Sequence, residues 1–341
     1  MNRQGKDRWS RREFIANTAI ASAGAILGLP SRAVAAEPAP ETTTLRLGQS
    51  PAICIAPLYV AGEFFPSEGF TKVDYVKTGQ HLMAKNVVSG ALDFAMNFAA
   101  PLLIPLDAGD PIVILAGSHT GCFEVFGTNR VRTIRDLKGK SVAIPELGSP
   151  YHIFLASMAA YVGLNPRKDI NWVIHPPAEA MQLLAEGKID GFLGFPPQPQ
   201  QLRAKKVGHV VVNSMMDKPW SQYFCCVAYT SRQFVQKNPV ATKRVLRAIM
   251  KATDFCVREP EGAARLLVDK GFTASYDYAL QTMKEMQMAY GHWRHYDPED
   301  TLRFYGLRLH EAGMIRTNPQ KLIAQATDWR FLRELKKELK A

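Results

Sequence analysis

The strongest constraint in this sequence is a rhythm. Between Thr44 and Asn213, short apolar runs alternate with helix-length segments. "TLRLGQS" (44–50), "KVDYVK" (72–77), "LDFAMNF" (92–98) and "PIVILAGS" (111–118) read as strands. "PLYVAGEFFPSEG" (57–69), "QHLMAKNVVSG" (80–90) and "PLLIPLDAG" (101–109) read as the helices between them, each ending at a glycine. Such alternation predicts βαβ units and a largely parallel sheet.

A second series repeats the pattern. "TIRDLKGK" is a short helix and turn, and "SVAIPEL", "INWVIHP", "IDGFLGFP" and "HVVVNS" are strands. In "PYHIFLASMAAYVGL" the apolar residues Ile153, Phe154, Met158, Tyr161 and Val162 fall at helical spacing. "AEAMQLLAEGK" and "PQQLRAKK" are the remaining helices. "SGALDFAMNF" (89–98) and "EGKIDGFLGF" (186–195) match as a weak internal repeat of one βα unit. After residue 231 the pattern becomes helix upon helix, punctuated by Pro239, Pro260, Gly271, Gly291, Pro298 and Pro319. The expectation is α/β: two α/β lobes and a helical C-terminal third.

The first 35 residues read as something else. "SRREFIA" (10–16) opens an uncharged run from Phe14 to Leu29, broken at Pro30 and succeeded by "AVAA" (33–36). Charged start, apolar middle and small-residue cleavage site make a secretory signal. The pair Arg11 and Arg12 in "SRREFI" resembles the twin-arginine consensus, which implies periplasmic delivery of an already folded chain. The run is short for a bilayer span, and no Cys at the cleavage region supports a lipid anchor. The mature chain of about 300 residues is longer than one ordinary core requires.

The formal net charge is +11, spread along the chain with a small cluster in "RELKKELKA". No Arg-rich arm and no basic motif with interleaved aromatics is present, so nucleic acid is not expected as a partner. The five cysteines, Cys54, Cys122, Cys225, Cys226 and Cys256, are odd in number and lack a C-x-x-C. They read mainly as buried small hydrophobes, with room for one long-range disulfide.

"DLKGKSVAI" (136–144), "LLAEGKIDGF" (183–192), "SGALDFA" (89–95) and "FVQKNPVATKR" (234–244) carry a family resemblance through their order and spacing. The chain resembles the periplasmic substrate-binding proteins of ABC importers, in the nitrate/sulfonate/taurine and thiamine-pyrimidine branch, over about residues 44 to 335. The resemblance implies the type II periplasmic binding protein fold, its two lobes joined by crossing strands. The segments would be 1–35 signal, 44–124 lobe 1, 125–222 lobe 2, and 223–335 the return to lobe 1 with the C-terminal helices. It also implies a monomer that captures a small organic ligand by hinge closure and delivers it to a permease and ATPase.

In open parallel sheets ligands bind beyond the C-terminal strand ends. That rule selects Pro51, Ile53 and Cys54; Thr78, Gln80 and His81; Asn97 and Phe98; His119 and Glu124; Gly148, Ser149, Tyr151 and His152; and Phe195. The return segment adds Trp220 and Tyr223. Gly148 and Ser149 precede a first-turn proline, so this helix start suits a ligand oxygen, while Ser149 alone also suffices as a helix cap. Phe98, Trp220 and Tyr223 suit stacking on a ring or lobe packing. Glu124 suits an amine or ring N–H, or a salt bridge at the hinge. His81, His119 and His152 lie on separate loops without metal-ligand spacing, so neither a metal nor a cofactor is expected. These loops contain no Arg, which favours a neutral or weakly charged organic ligand over a sulfonate.

Two other functions compete. A fungal branch of the same fold makes the thiamine pyrimidine from its own active-site residues and iron. It carries a Lys and a His four residues apart, and a run of three cysteines. Here Asn97 and Pro101 stand at the Lys and His positions, and only Cys225 and Cys226 remain of the run. The other competitor is a ligand-binding partner of a signalling receptor.

Overall fold

Two five-stranded mixed sheets organise the chain. The computed structural model describes residues 37–340, so the expected signal, with Arg11 and Arg12, lies outside the described residues. The first sheet holds β1 (Thr44–Gln49), β2 (Lys72–Lys77), β3 (Phe94–Phe98), β4 (Ile112–Thr120) and β10 (Phe224–Ser231), in the order β2-β1-β3-β10-β4. The second holds β5 (Glu124–Gly127), β6 (Ser141–Ile144), β7 (Asn171–Ile174), β8 (Gly191–Gly194) and β9 (His209–Asn213), in the order β7-β6-β8-β5-β9. The two orders are the same topology. In each, three parallel strands precede an antiparallel strand that the other sheet delivers: β5 crosses over after β4, and β10 crosses back after β9.

Helices cover these sheets. They are α1 (Ala56–Val60), α2 (Gln80–Val88), α3 (Ala99–Asp107), α4 (Pro150–Tyr161), α5 (Pro177–Ala185) and α6 (Gln198–Ala204). The C-terminal series is α7 (Arg232–Lys237), α8 (Pro239–Arg258), α9 (Pro260–Asp269), α10 (Tyr276–Gly291), α11 (Pro298–Glu311), α12 (Pro319–Ala326) and α13 (Arg330–Glu338).

The segment 57–69 departs from expectation. It breaks into α1 and two 3-10 turns, Ala61–Glu63 and Phe65–Glu68, ending at Gly69 with φ 92°. Pro66 has no N–H for the carbonyl four residues back and its ring crowds it, so one continuous helix cannot run through. The turns bring Glu68 inside, where its carboxylate meets Arg247 Nη1 and Lys251 Nζ, each at 2.7 Å. This buried cluster fastens α8 to the first lobe.

The principal core runs beneath the first sheet and through the seam between lobes. At that seam Phe98 lies 4.2 Å from Phe195 between ring centroids, and Phe123 lies 4.7 Å from Phe154. A smaller core of Phe126, Leu184, Phe192 and Leu202 backs the second sheet. All five cysteines are buried free thiols, with Cys122 and Cys225 Sγ 3.1 Å apart.

Candidate functional site

The starts of α2 and α4 face each other across the lobe junction, and a cavity of about 370 Å³ lies there. Gln80, His81, Lys85 and Asn97 line it from the first lobe, and Gly148 and Pro150 from the second. Pro101 and Ile104 of α3 supply its apolar wall. Gly79 is the N-cap of α2 and no side chain caps it; the Leu82 N–H is bonded to the Gly79 carbonyl at 3.0 Å, and the N–H groups of Gln80 and His81 precede it. Asn97 is buried at the end of β3. Its Nδ2 donates to Gln80 O at 3.0 Å and its Oδ1 accepts from Phe98 N–H at 2.8 Å.

On the facing lobe, Gly148 adopts φ +85°, and a Cβ built there would project into open space. Its N–H donates to His152 Nδ1 at 3.1 Å. Burial, reinforced by Arg167, lowers His152 to about 4, so this imidazole is neutral near pH 7. Ser149 is buried. Its hydroxyl donates to Glu146 O at 2.7 Å and accepts from His152 N–H at 3.4 Å, which caps α4. Across the mouth His81 Nδ1 comes within 3.7 Å of Glu146 Oε1.

Four of the residues selected by sequence, Gln80, His81, Asn97 and Gly148, therefore share one cavity. His152 lines an adjoining pocket of about 200 Å³ with Ile104, Gly148 and Arg167. Thr78 stands behind α2, its hydroxyl accepting from Asn86 Nδ2 at 2.9 Å. Phe98 and Phe195 fill the seam, and Tyr151 O–H is hydrogen-bonded to Gln198. Pro51 is exposed and Ile53 buried. Trp220 packs on Tyr161, and Tyr223 stacks on Phe304 at 4.0 Å. Glu124 is buried in an ion pair with Arg203, which also binds Glu285 of α10 at 2.5 Å. Burial outweighs Arg203 and raises the Glu124 carboxyl.

Lys85, Pro101 and Asp110 also line the cavity without having been singled out as binding residues. Lys85 comes four positions after His81 on one helix face, a spacing that flags it in retrospect. Arg203 answers Glu124 from a distant helix, and nothing local announces that pairing. Among the described residues the lining contains no Arg.

Within the first lobe, Cys54, His119 and Cys226 meet. Their ligand atoms lie within 4.8 Å of one another and all three residues are fully buried. Burial alone would lower His119, but Cys226 and Cys54 beside it raise it to about 10. His81 and His152 do not join this group.

A solved structure with the same architecture is the periplasmic nitrate-binding protein NrtA from Synechocystis PCC 6803. It matches with a TM-score of 0.73 at 20% identity, over 89% of this chain and 90% of that one. In sequence, the chain is 25% identical over 296 residues to the nitrate/nitrite binding protein NrtA of Nostoc sp. PCC 7120, covering 72% of this chain and 66% of that protein. It is 24% identical over 243 residues to the 4-amino-5-hydroxymethyl-2-methylpyrimidine phosphate synthase THI12 of Saccharomyces cerevisiae, covering 66% of this chain and 70% of the enzyme. The chain spans between 42% and 66% of the length of the first nitrate-import relatives it matches. The architecture of two lobes exchanging a strand is thus shared with a nitrate-binding protein. A family model matches residues 38–268, which take in both sheets and α1 through α8, and the chain belongs to the NMT1-like family.

Proposed function

We propose that this chain is the periplasmic solute-binding component of an ABC importer, holding one small organic molecule in the cavity between its lobes. The observation that carries this reading is the cavity's ownership. Gln80, His81, Lys85 and Asn97 reach it from one lobe, Gly148 and Pro150 from the other. A ligand touching both sides stabilises the closed arrangement by its differential contacts. The nitrate-binding relatives support the class of protein.

A lining with Lys85 but no Arg, balanced by Asp110 and by Glu146 beside His81, favours a neutral or weakly charged solute. Membrane partners would be a permease and an ATPase, with the binding protein itself a monomer. The Arg11–Arg12 pair supports twin-arginine export to the periplasm. Among the described residues no helix is long and apolar enough to cross a membrane.

The pyrimidine-synthase reading has a specific observation against which to weigh it. Asn97 and Pro101, which stand where that branch carries Lys and His, both line the cavity. Neither side chain offers an amine or an imidazole. The test is a thermal-shift screen of the purified chain against pyrimidines, aromatic acids, sulfonates and amines, with product analysis of whatever binds. A ligand recovered unchanged supports capture, and a converted one supports the enzyme.

A further inference from the structure

We propose that Cys54, His119 and Cys226 form a binding site for one thiophilic d10 metal ion, zinc(II) or copper(I). The site stands apart from the solute cavity and from the solute-binding reading, since none of the three residues lines that cavity.

The fold presents these ligands together. Cys226 of β10 is the antiparallel partner of His119 of β4, so the two side chains leave the same face of the sheet as a cross-strand pair. Cys54 lies in the 3-10 turn Ile53–Ile55 beyond the end of β1. The Tyr290 O–H donates to the Cys54 carbonyl at 3.0 Å, and the Tyr290 ring meets the edge of His119 with centroids 5.5 Å apart. Donor atoms around one tetrahedral or trigonal ion sit on the order of 3.5–4 Å apart, given metal–sulfur bonds near 2.3 Å and metal–nitrogen bonds near 2.0 Å. A cluster already within 4.8 Å needs little contraction to reach that spacing.

The histidine is oriented as a ligand. Its Nδ1 lies 3.2 Å from the carbonyl oxygen of Gly121, which can only accept, so Nδ1–H donates there and Nε2 is the nitrogen left for an ion, which binds in place of its proton. Nε2 is buried and has no hydrogen-bond partner among the described residues. Metal-ligating histidines are held in this way, one ring nitrogen on a backbone carbonyl and the other on the ion. A buried polar atom without a partner requires a reason, and an ion between it and two thiolates supplies one.

The donor set selects the metal class. Two sulfurs and one imidazole nitrogen, with no carboxylate among them, suit soft and borderline ions and disfavour magnesium or calcium. Two thiolates neutralise zinc(II), with a water molecule able to complete a tetrahedral shell. Copper(I) is satisfied by the three ligands alone. Since all three residues are fully buried, the ion enters as the chain folds.

The test is to express the full chain in zinc- or copper-supplemented medium, purify it anaerobically without chelator, and measure metal per chain. The expected result is about one ion per chain, falling at least roughly tenfold in Cys54→Ser, in Cys226→Ser and in His119→Gln. Cys256→Ser, which removes a buried thiol outside the cluster, retains the ion. X-ray absorption on the wild type is the second measurement, and it stands even if a ligand variant fails to fold. Two sulfurs and one nitrogen identify the site, three-coordinate for copper and with one added oxygen for zinc. Metal below about a tenth of an equivalent in both media, a shell of oxygen and nitrogen alone, or equal loss in Cys256→Ser overturns the proposal.

Discussion

Asp93 and Asp190 occupy the same place in the repeated "G-x-[LI]-D" stretch and make the same contacts. Asp93 Oδ2 accepts the Arg46 N–H at 2.7 Å and Asp190 Oδ2 accepts the Ser141 N–H at 3.0 Å. Each aspartate's own N–H donates in return to the carbonyl of that same residue, at 2.8 Å in both cases. Arg46 and Arg130 complete the two carboxylates. Burial pushes Asp190 up, but the Ser141 N–H and Arg130 outweigh it and hold the carboxyl below its usual range. Its contribution is therefore full above the unfolded value of about 3.9 and is lost as pH falls through the lower folded value. Asp190→Asn should cost about 1–3 kcal/mol near pH 7. Thermal melts of the two proteins should converge as pH drops below about 4; a constant gap would refute this account of the carboxylate. Ser149→Ala should cost about 1 kcal/mol of stability and leave ligand affinity unchanged, because its hydroxyl is used at both ends by the cap. Unchanged melting with weakened binding would make Ser149 a ligand contact instead. The repeat was legible because residue type and spacing recur locally. Arg46 and Arg130 were not, because nothing in their own neighbourhoods marks them as partners of the two aspartates.

At the scale of elements, the strand exchange decides what can be read and what cannot. Strand and helix periodicity located β1 to β4 and β6 to β9 because each carries its own apolar run. The insertion of β10 between β3 and β4, and of β5 between β8 and β9, depends on pairing between distant segments. The convergence of Cys54, His119 and Cys226 is of the same kind, three ordinary-looking residues brought together only by that pairing. The reading of 57–69 as one helix missed the break that Pro66 causes, and the burial of Glu68 required Arg247 and Lys251 to be in place. The ion cluster at β5, α6 and α10 gives a prediction at this scale. Arg203→Ala leaves Glu124 buried without its cation and should cost about 3–5 kcal/mol. Glu124→Gln in that background should recover part of the loss. Denaturant unfolding of the single and double variants measures it, and simple additivity would show that the pair is not coupled.

At the scale of the whole molecule, both lobes share one continuous core and meet at the Phe98–Phe195 contact and at His81–Glu146. The C-terminal helices touch the second lobe as well, through Tyr305 on Phe154 and Glu285 on Arg203. On the proposed function, a solute held by Gln80 and Gly148 would bridge the same two lobes and add to these contacts. Ligand binding should therefore compact the chain, read as a lower radius of gyration in X-ray scattering; tight binding with no compaction would argue against hinge capture. The central claim is that the solute sits between Gln80 and Gly148. The fold uses the Gln80 carbonyl, whereas its side-chain amide has no hydrogen-bond partner among the described residues. Replacing it should therefore spare the fold and strike the ligand. The decisive measurement is calorimetric titration of wild type and Gln80→Leu with the best binder from the thermal-shift screen. The account predicts one molecule bound per wild-type chain, and an affinity loss of about tenfold or more in the variant at unchanged melting temperature. Equal affinities in the two proteins would place the ligand elsewhere and contradict it.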